Sequence, residues 1–371
     1  MSNASNVLVS LCMIVKDEEG WLGRCLDSVA SIADEIIVVD TGSTDGTKAV
    51  GREHKAKVYD FEWTESFSAA RNFGLEKATG KWVMWLDADE ELELEDAGVF
   101  KRILAESKSD LWMIPLINYY GGFPPDSNRA YLYAGARLFR NHKDYRFTGR
   151  IHEHLDVRQI LDYSAPKVMP GAKIHHYGYM DQLVESKNKN ARNLSMLLKE
   201  TENPEYDPWI DYHIASEYYR AREFPQAFER INMSIRRFLG QKSMPPSLLY
   251  KLKYDILITA GDFDGGWPGI EKAIALYPEY VDLHFYKGII LYNQQKYEEA
   301  MAAFRHCLEL GETRLQYLTL AGCGGYLAWY FIGRCLEDMK KFVDSGQAYI
   351  QAIGLNPQYQ EAWLRLRDIS S

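Results

Sequence analysis

The chain changes its period once, near Pro204, and that single change limits it to a fold of two dissimilar parts. Before that point, short apolar runs alternate with segments whose apolar residues recur at helical spacing. The run over residues 7–15 is stopped by Lys16-Asp17-Glu18-Glu19, and Trp21, Leu22, Cys25, Leu26 and Val29 follow at helical intervals. A second run, Ile36-Ile37-Val38-Val39, ends in Asp40 and the turn Thr41-Gly42-Ser43-Thr44-Asp45-Gly46-Thr47. A helix beginning near residues 44–47, a strand over 58–61, a helix over 67–79 and a strand over 82–86 continue the alternation. After Pro204 the strand signal fades and three segments share one frame. Each has a small residue, a second small residue twelve positions on, and an aromatic three before the second. They are Ala215 to Ala227 with Phe224, Gly288 to Ala300 with Tyr297, and Gly333 to Ser345 with Phe342.

Alternating strands and helices predict an α/β, Rossmann-like domain with a mainly parallel sheet and right-handed crossovers. The recurring frame predicts an all-α domain, because small residues let two antiparallel helices approach while the aromatic fills the gap at their turn. Pro278 and Pro357 then follow the second helix. This pattern resembles the tetratricopeptide repeat, whose period is roughly 34 residues. The spacing leaves room for a degenerate unit near residues 248–278, an insertion around 311–325 and a capping helix ending near Ile369. Domains are therefore expected over 1–203 and 204–371, the second offering the concave surface usual in solenoids.

The formal charge of −9 argues against nucleic acid as a partner, since phosphate binding needs a basic surface. The five cysteines are scattered and form no CxxC pair, which fits a reducing cytoplasm better than a disulfide framework or zinc site. The leading Met1-Ser2-Asn3-Ala4 resembles a cloning remnant, and no signal peptide is expected. Residues 315–333 carry no charge, but Gln316, Thr319 and the Gly322-Cys323-Gly324-Gly325 run interrupt them. A loop between buried repeat helices is a better account than a membrane span. A homodimer is compatible with all of this.

Chemistry concentrates where the strands end. In parallel sheets ligands bind outside the carboxyl ends of the strands, so Asp40 and Asp87 face one ligand although they lie 47 positions apart. Asp87-Ala88-Asp89 offers two carboxylates at a strand end, suited to a hard cation and a diphosphate-ribose. By itself such a tripeptide is also a common solvated acidic turn. The 41–47 turn either presents backbone N–H groups to phosphate or simply makes a tight connection. Asp40 can accept from the N3–H of uracil. Arg71 is either a partner of the uracil or phosphate, or a surface cation on a helix. Further on, a segment holds Arg137, Arg140, Arg146, Arg150, His152, Glu153 and His154. Glu153 beside His152 suits general-base work, the alternative being surface pairing with Arg150. His175 and His176 point to opposite faces of an extended segment, so one of them, His176, is the candidate third metal ligand.

Four stretches together, "SLCMIVKDEEGWLGRCLDSV", "DEIIVVDTGSTDGT", "SAARNFGLEKATGKWVMWLDADEEL" and "HHYGY", resemble the family-2 glycosyltransferases of GT-A fold. The likeness covers about residues 7–180. Within that family, "LFRNHKDYRFTGRIHEHL" and "HHYGY" are similar to the sublancin-type peptide S-glycosyltransferases, which also join such a domain to helical repeats. The resemblance implies an inverting bacterial enzyme that uses a UDP-sugar and Mn2+ or Mg2+, with a peptide or protein acceptor. Asp40 and Arg71 match uridine-holding positions, Asp87 the carboxylate near ribose and metal, Asp89 the direct metal ligand, and His176 the histidine of an H-x-G-Y segment. Val15 and Ala88 complete the expected nucleotide-sugar contacts, with Glu153 as base and His152 beside it. The Gln-x-x-Arg-Trp motif of processive synthases is absent from the sequence. Two other readings stay open here: a glycosyltransferase acting on a cell-surface or lipid-linked glycan, and a non-catalytic repeat scaffold with a relic α/β domain.

Overall fold

A computed structural model describes residues 7–141, 144–157, 167–186 and 189–370, so Met1 to Ala4 and the His142-Lys143 part of the arginine-rich segment lie outside the described residues. The chain forms two compact units. One comprises Met1–Pro125 and Ala134–Lys187, the other Asp126–Tyr133 and Asn188–Ser371.

The first unit opens with β1 (Val9–Val15), α1 (Glu19–Val29), β2 (Glu35–Asp40), α2 (Thr47–Glu53), β3 (Lys57–Asp60), α3 (Phe67–Lys77) and β4 (Trp82–Trp85). Strands β3, β2, β1 and β4 lie side by side in that order and are all parallel. Burial of both faces explains why β1, β2 and β4 read as unbroken apolar runs. Leu11, Ile37, Val38, Val83 and Met84 are all inaccessible to solvent.

The chain then adds β5 (Glu90–Leu94), α4 (Ala97–Glu106), β6 (Leu111–Gly121), β7 (Ala130–Arg140), β8 (Phe147–Thr148), β9 (His154–Leu155), β10 (Lys167–Val168), β11 (Ala172–Met180) and α5 (Asp181–Ser186). The order becomes β3-β2-β1-β4-β7-β6-β11-β5, with β10 beside β6. The sheet is mostly parallel, as expected, but β7 runs antiparallel to β4 and β5 antiparallel to β11. Those reversals bring β11 next to the chain that follows β4, which sets up the site.

The second unit is built of helix pairs: Trp209–Arg220 with Phe224–Gly240, Val281–Asn293 with Tyr297–Leu310, and Tyr326–Asp338 with Phe342–Leu355. Ser247–Ala260 with the short Phe263–Gly266 and Gly269–Leu276 make the degenerate unit, and Gln360–Ser370 caps the array. Lys189–Glu200 packs on Trp209–Arg220, so the helical unit takes up residues ahead of the 203/204 boundary read from sequence. The framing glycines have a direct cause. A Cβ on Gly288 would lie 2.5 Å from the Phe304 ring, and one on Gly333 would lie 2.5 Å from the Tyr349 ring. Arg222, Gln295 and Lys340 adopt left-handed backbone, each two residues before the second helix of its pair, and Gly261 occupies the same step in the degenerate unit. The framing aromatics behave less uniformly than expected. Phe224 and Tyr297 pack near Tyr219 and Tyr292, whereas Phe342 stays 47% exposed.

In the 311–325 insertion, Thr319 and Leu320 pair with Leu132 and Tyr131. The uncharged stretch thus becomes a short strand, a turn and the start of a buried helix. Among the described residues no helix is long and apolar enough to cross a membrane.

Candidate active site

The site is assembled at the carboxyl ends of β1, β2 and β4. Val15 ends β1 opposite Asp40 in the β1–β2 register, and its carbonyl accepts from the Thr41 backbone N–H at 3.0 Å and the Thr41 hydroxyl at 3.1 Å. Asp40 is buried. Its Oδ1 accepts from the backbone N–H groups of Gly42 and Ser43 at 3.0 and 2.8 Å, which folds the turn back on its own strand. Its Oδ2 is buried with no hydrogen-bond partner among the described residues. An orphaned carboxylate oxygen is costly unless something donates to it, and the nearest cation, Lys48 Nζ, stands 3.7 Å from the other oxygen.

The glycine-bearing turn answers the question left open for it. Thr44 N donates to Asp17 Oδ1, Gly46 N to Glu19 Oε2 and Thr47 N to Asp45 Oδ1. In return, Asp17 N donates to Ser43 Oγ and Glu18 N to Thr47 Oγ1. Two of these three N–H groups of the turn tie it to the segment after β1 and the third is held inside the turn, so each already has an architectural partner.

Arg71 is no surface cation. Its side chain is 6% exposed; Nη2 donates to Asp87 Oδ1 at 2.7 Å and Nε to Glu153 Oε1 at 2.6 Å. The guanidinium lies 4.4 Å from the Trp85 ring centroid, and that of Arg137 lies 3.7 Å from the same ring. Arg137 donates to Glu90 Oε1 at 2.5 Å, while Glu90 Oε2 accepts from the Asp87 backbone N–H at 2.9 Å. Burial favours a protonated Asp87, but the Arg71 and Arg137 charges outweigh it and hold the carboxyl well below the usual range. At Glu90 burial wins over Arg137, and its carboxyl sits above the usual range. Arg71 Nη1 is buried with no partner among the described residues, a second orphan beside that of Asp40.

Local packing explains how Glu153 reaches Arg71 from 82 residues away. Next to Arg71, Asn72 clasps the Phe147 backbone, donating to its carbonyl and accepting from its N–H. Phe67 N donates to Arg150 O. The loop carrying His152 and Glu153 is therefore pinned to α3, with His152 itself in the left-handed region at φ 53°. That conformation is uncommon for a non-glycine residue and is held by the surrounding contacts.

Asp89 and His176 meet through the antiparallel register, in which His176 stands opposite Glu90. His176 Nε2 lies 3.7 Å from Asp89 Oδ1. The other ring nitrogen, Nδ1, is 2.8 Å from Asn118 Oδ1, opposite it on β6. With Nδ1 donating to that amide oxygen, a neutral ring would turn its Nε2 lone pair toward Asp89, the arrangement expected of a metal-binding imidazole. His175 turns the other way, to Glu93 and the Tyr119 hydroxyl. Ala88, between the two aspartates, is buried.

The donor set fits a hard divalent cation. Asp89 and His176 are the side chains that would hold it, since Asp87, Glu90 and Glu153 are already paired with Arg71 and Arg137. No group of three or more His, Cys, Asp or Glu side chains forms a cage among the described residues. A two-residue site suits Mg2+ or Mn2+, which keep open positions for phosphate oxygens.

Two residues of this constellation escape a reading of the sequence. Arg137 lies among several arginines that nothing distinguishes until β7 is placed beside β4. Gly178 was legible only as part of H-x-G-Y. A Cβ there would lie 2.5 Å from His176 Nε2 and 2.8 Å from Asp89 Oδ2, filling the gap the two side chains face. We expect Gly178→Ala to lower sugar transfer at least tenfold, because the added methyl must displace His176 or Asp89. Wild-type turnover in this variant would show that the gap is not used.

With this geometry in place, comparison with known proteins is informative. Residues 10–157 match the glycosyl transferase family 2 model, and residues 281–313 match the tetratricopeptide repeat. The chain belongs to the family-2 glycosyltransferases and carries tetratricopeptide-like repeats, which sets aside a non-catalytic scaffold. It is 32% identical over 280 residues to a TPR repeat-containing protein of Synechococcus elongatus, covering 73% of this chain and 67% of the relative. It is 27% identical over 296 residues to the SPbeta prophage-derived glycosyltransferase SunS of Bacillus subtilis, covering 75% and 65%. A third relative, the lipopolysaccharide core biosynthesis glycosyltransferase LpsC of Rhizobium meliloti, is 28% identical over 192 residues, covering 49% and 68%. The chain thus spans about two thirds of the length of these curated relatives.

Proposed function

We propose that this glycosyltransferase moves a hexose from a UDP-sugar to a Cys, Ser or Thr side chain of a peptide or protein, with inversion. Residues 1–203 handle the donor, and residues 204–371 grip the acceptor. The observation that carries the donor half is the Asp89–His176 pair, oriented by Asn118 and kept open by Gly178. These two side chains would hold Mn2+ or Mg2+, which offsets charge growing on the departing diphosphate. Asp40 Oδ2 accepts from the uracil N3–H, Arg71 Nη1 donates to the nucleotide, and Val15 and Ala88 line its backbone edge. Asp87, fixed by Arg71, stands at the ribose.

The acceptor approaches the face of the anomeric carbon opposite the diphosphate. Its sulfur or oxygen forms the new bond as the carbon–oxygen bond to UDP breaks, UDP leaves with the electron pair, and the acceptor proton goes to Glu153. Arg71 orients that carboxylate by one oxygen, and His152 shapes the loop that carries it. A thiol acceptor asks least of the base, because its pKa near 8.5 is already close to neutral. The five free cysteines of the chain are all buried, which is consistent with a reducing cytoplasm.

The repeats and the likeness to peptide S-glycosyltransferases favour a polypeptide acceptor, while the name of the LpsC relative favours a glycan. Mass spectrometry after incubation with UDP-hexoses and Mn2+ separates them. A cysteine-containing peptide is expected to gain one hexose. Transfer only to a lipopolysaccharide core oligosaccharide would replace the peptide reading with the glycan one.

A further inference from the structure

We infer that Tyr179 is the surface on which the donor's hexose packs; this rests on the proposed donor site and deepens it. The inference starts from a flaw in β11. His176 pairs with Asn118 and Tyr179 pairs with Tyr120, so three steps along β11 match two along β6. One extra residue inverts the alternation of side chains, and bulges of this kind re-aim residues beside active sites. In a regular strand His176 and Tyr179 would face opposite ways. Here Tyr179 follows its partner Tyr120, which shares a face with Asn118, and its ring centroid comes to 5.0 Å from that of His176 at 68°. Tyr177 lies on the other face, as in a regular strand, stacked 5.5 Å from Tyr119.

The bulge also explains the composition of the segment. Its middle residue, Gly178, passes so close to His176 and Asp89 that no side chain fits there, so Tyr179 supplies the next wall of the site. Tyr179 is 47% exposed while its neighbour Met180 is fully buried, so the ring is anchored by the strand yet presents surface to a ligand. A diphosphate held at Asp89 and His176 would bring its hexose toward this ring, whose centroid lies 5.0 Å from that of His176. A pyranose carries an apolar face of C–H groups that packs on an aromatic ring, and a strand-held tyrosine offers that contact at small entropic cost.

Calorimetry with UDP and with UDP-hexose, both in Mn2+, tests this on the full chain. Tyr179→Ala is expected to weaken UDP-hexose binding about five- to tenfold and leave UDP binding unchanged, since UDP has no hexose to lose. Tyr179→Phe is expected to bind both like the wild type, because the ring makes the contact. Unchanged UDP-hexose affinity in Tyr179→Ala, equal weakening of both ligands, or loss in Tyr179→Phe would overturn the inference and leave the donor site standing. A wild-type protein that binds neither ligand would remove the donor site and the inference together.

Discussion

Replacing Asp89 by asparagine is expected to slow sugar transfer by about a hundredfold or more while the protein stays folded. Asparagine keeps the size of the side chain, and the turn is tied to β11 through the Asp89 carbonyl, which accepts from the Tyr177 N–H at 3.0 Å and is untouched by the change. What is lost is one negative charge at the point facing His176 Nε2. A neutral amide is a poor substitute for a carboxylate toward a hard cation. Two measurements check this: initial rates across a Mn2+ titration, and UDP affinity with and without Mn2+. The variant should need far more Mn2+, and its UDP affinity should lose most of its metal dependence. Rates within threefold of wild type with an unchanged Mn2+ profile would remove Asp89 from the metal site.

Arg71→Met should be the most damaging single change to the architecture of the site. It removes a buried guanidinium from two carboxylates at once and leaves Glu153, 11% exposed, without its partner. Breaking a buried pair costs roughly 3–5 kcal/mol. The 35% exposure of Asp87 lets water screen part of that loss, so about 2–3 kcal/mol at neutral pH is expected. The effect also depends on pH in a definite direction. The folded-state pKa of Asp87 is depressed below its ordinary value of 3.8. Its pairing therefore contributes fully above about pH 4 and is lost as pH falls further toward the depressed value. The stability gap between wild type and Arg71→Met should narrow on acidification below pH 4. Urea unfolding at pH 7 and near pH 3 measures both ends, and an equal midpoint for the two proteins at pH 7 would show that the ion pairs contribute nothing.

The parts legible in the sequence are those that local pattern dictates. Strands β1, β2 and β4 are buried on both faces, so they appear as apolar runs, and Asp40 and Asp87 could be placed at their ends without knowing anything else. The helix pairs were legible because Gly288 and Gly333 meet rings within the same repeat. Strand β5 reads Glu-Glu-Leu-Glu-Leu, which resembles a solvated acidic turn until β11 is laid against it. Strand β11 lost its alternation at the bulge, which removed the period-two signal just where it was needed. Arg71 was identified as a site residue, yet its two partners come from residues 87 and 153, and only tertiary packing brings them together. The turn after Asp40 is the converse case. Its glycines and short polar residues allow a phosphate cradle, and the sequence has no way to say that Asp17, Glu19, Asp40 and Asp45 already claim its N–H groups.

The left-handed residues of the helical unit carry a lesson about how such a chain can change. Arg222, Gly261, Gln295 and Lys340 mark one step of the backbone, repeated once per helix pair. Equivalent joints make the array a ruler with interchangeable segments. A segment copied or deleted between two joints rejoins with its backbone in register, and it alters how much chain the ruler spans without touching a residue of the sugar-transfer chemistry. The length of the helical array can therefore be tuned by gene duplication within the second half, whereas the first half, with its stitched loops and shared arginine, tolerates change only residue by residue.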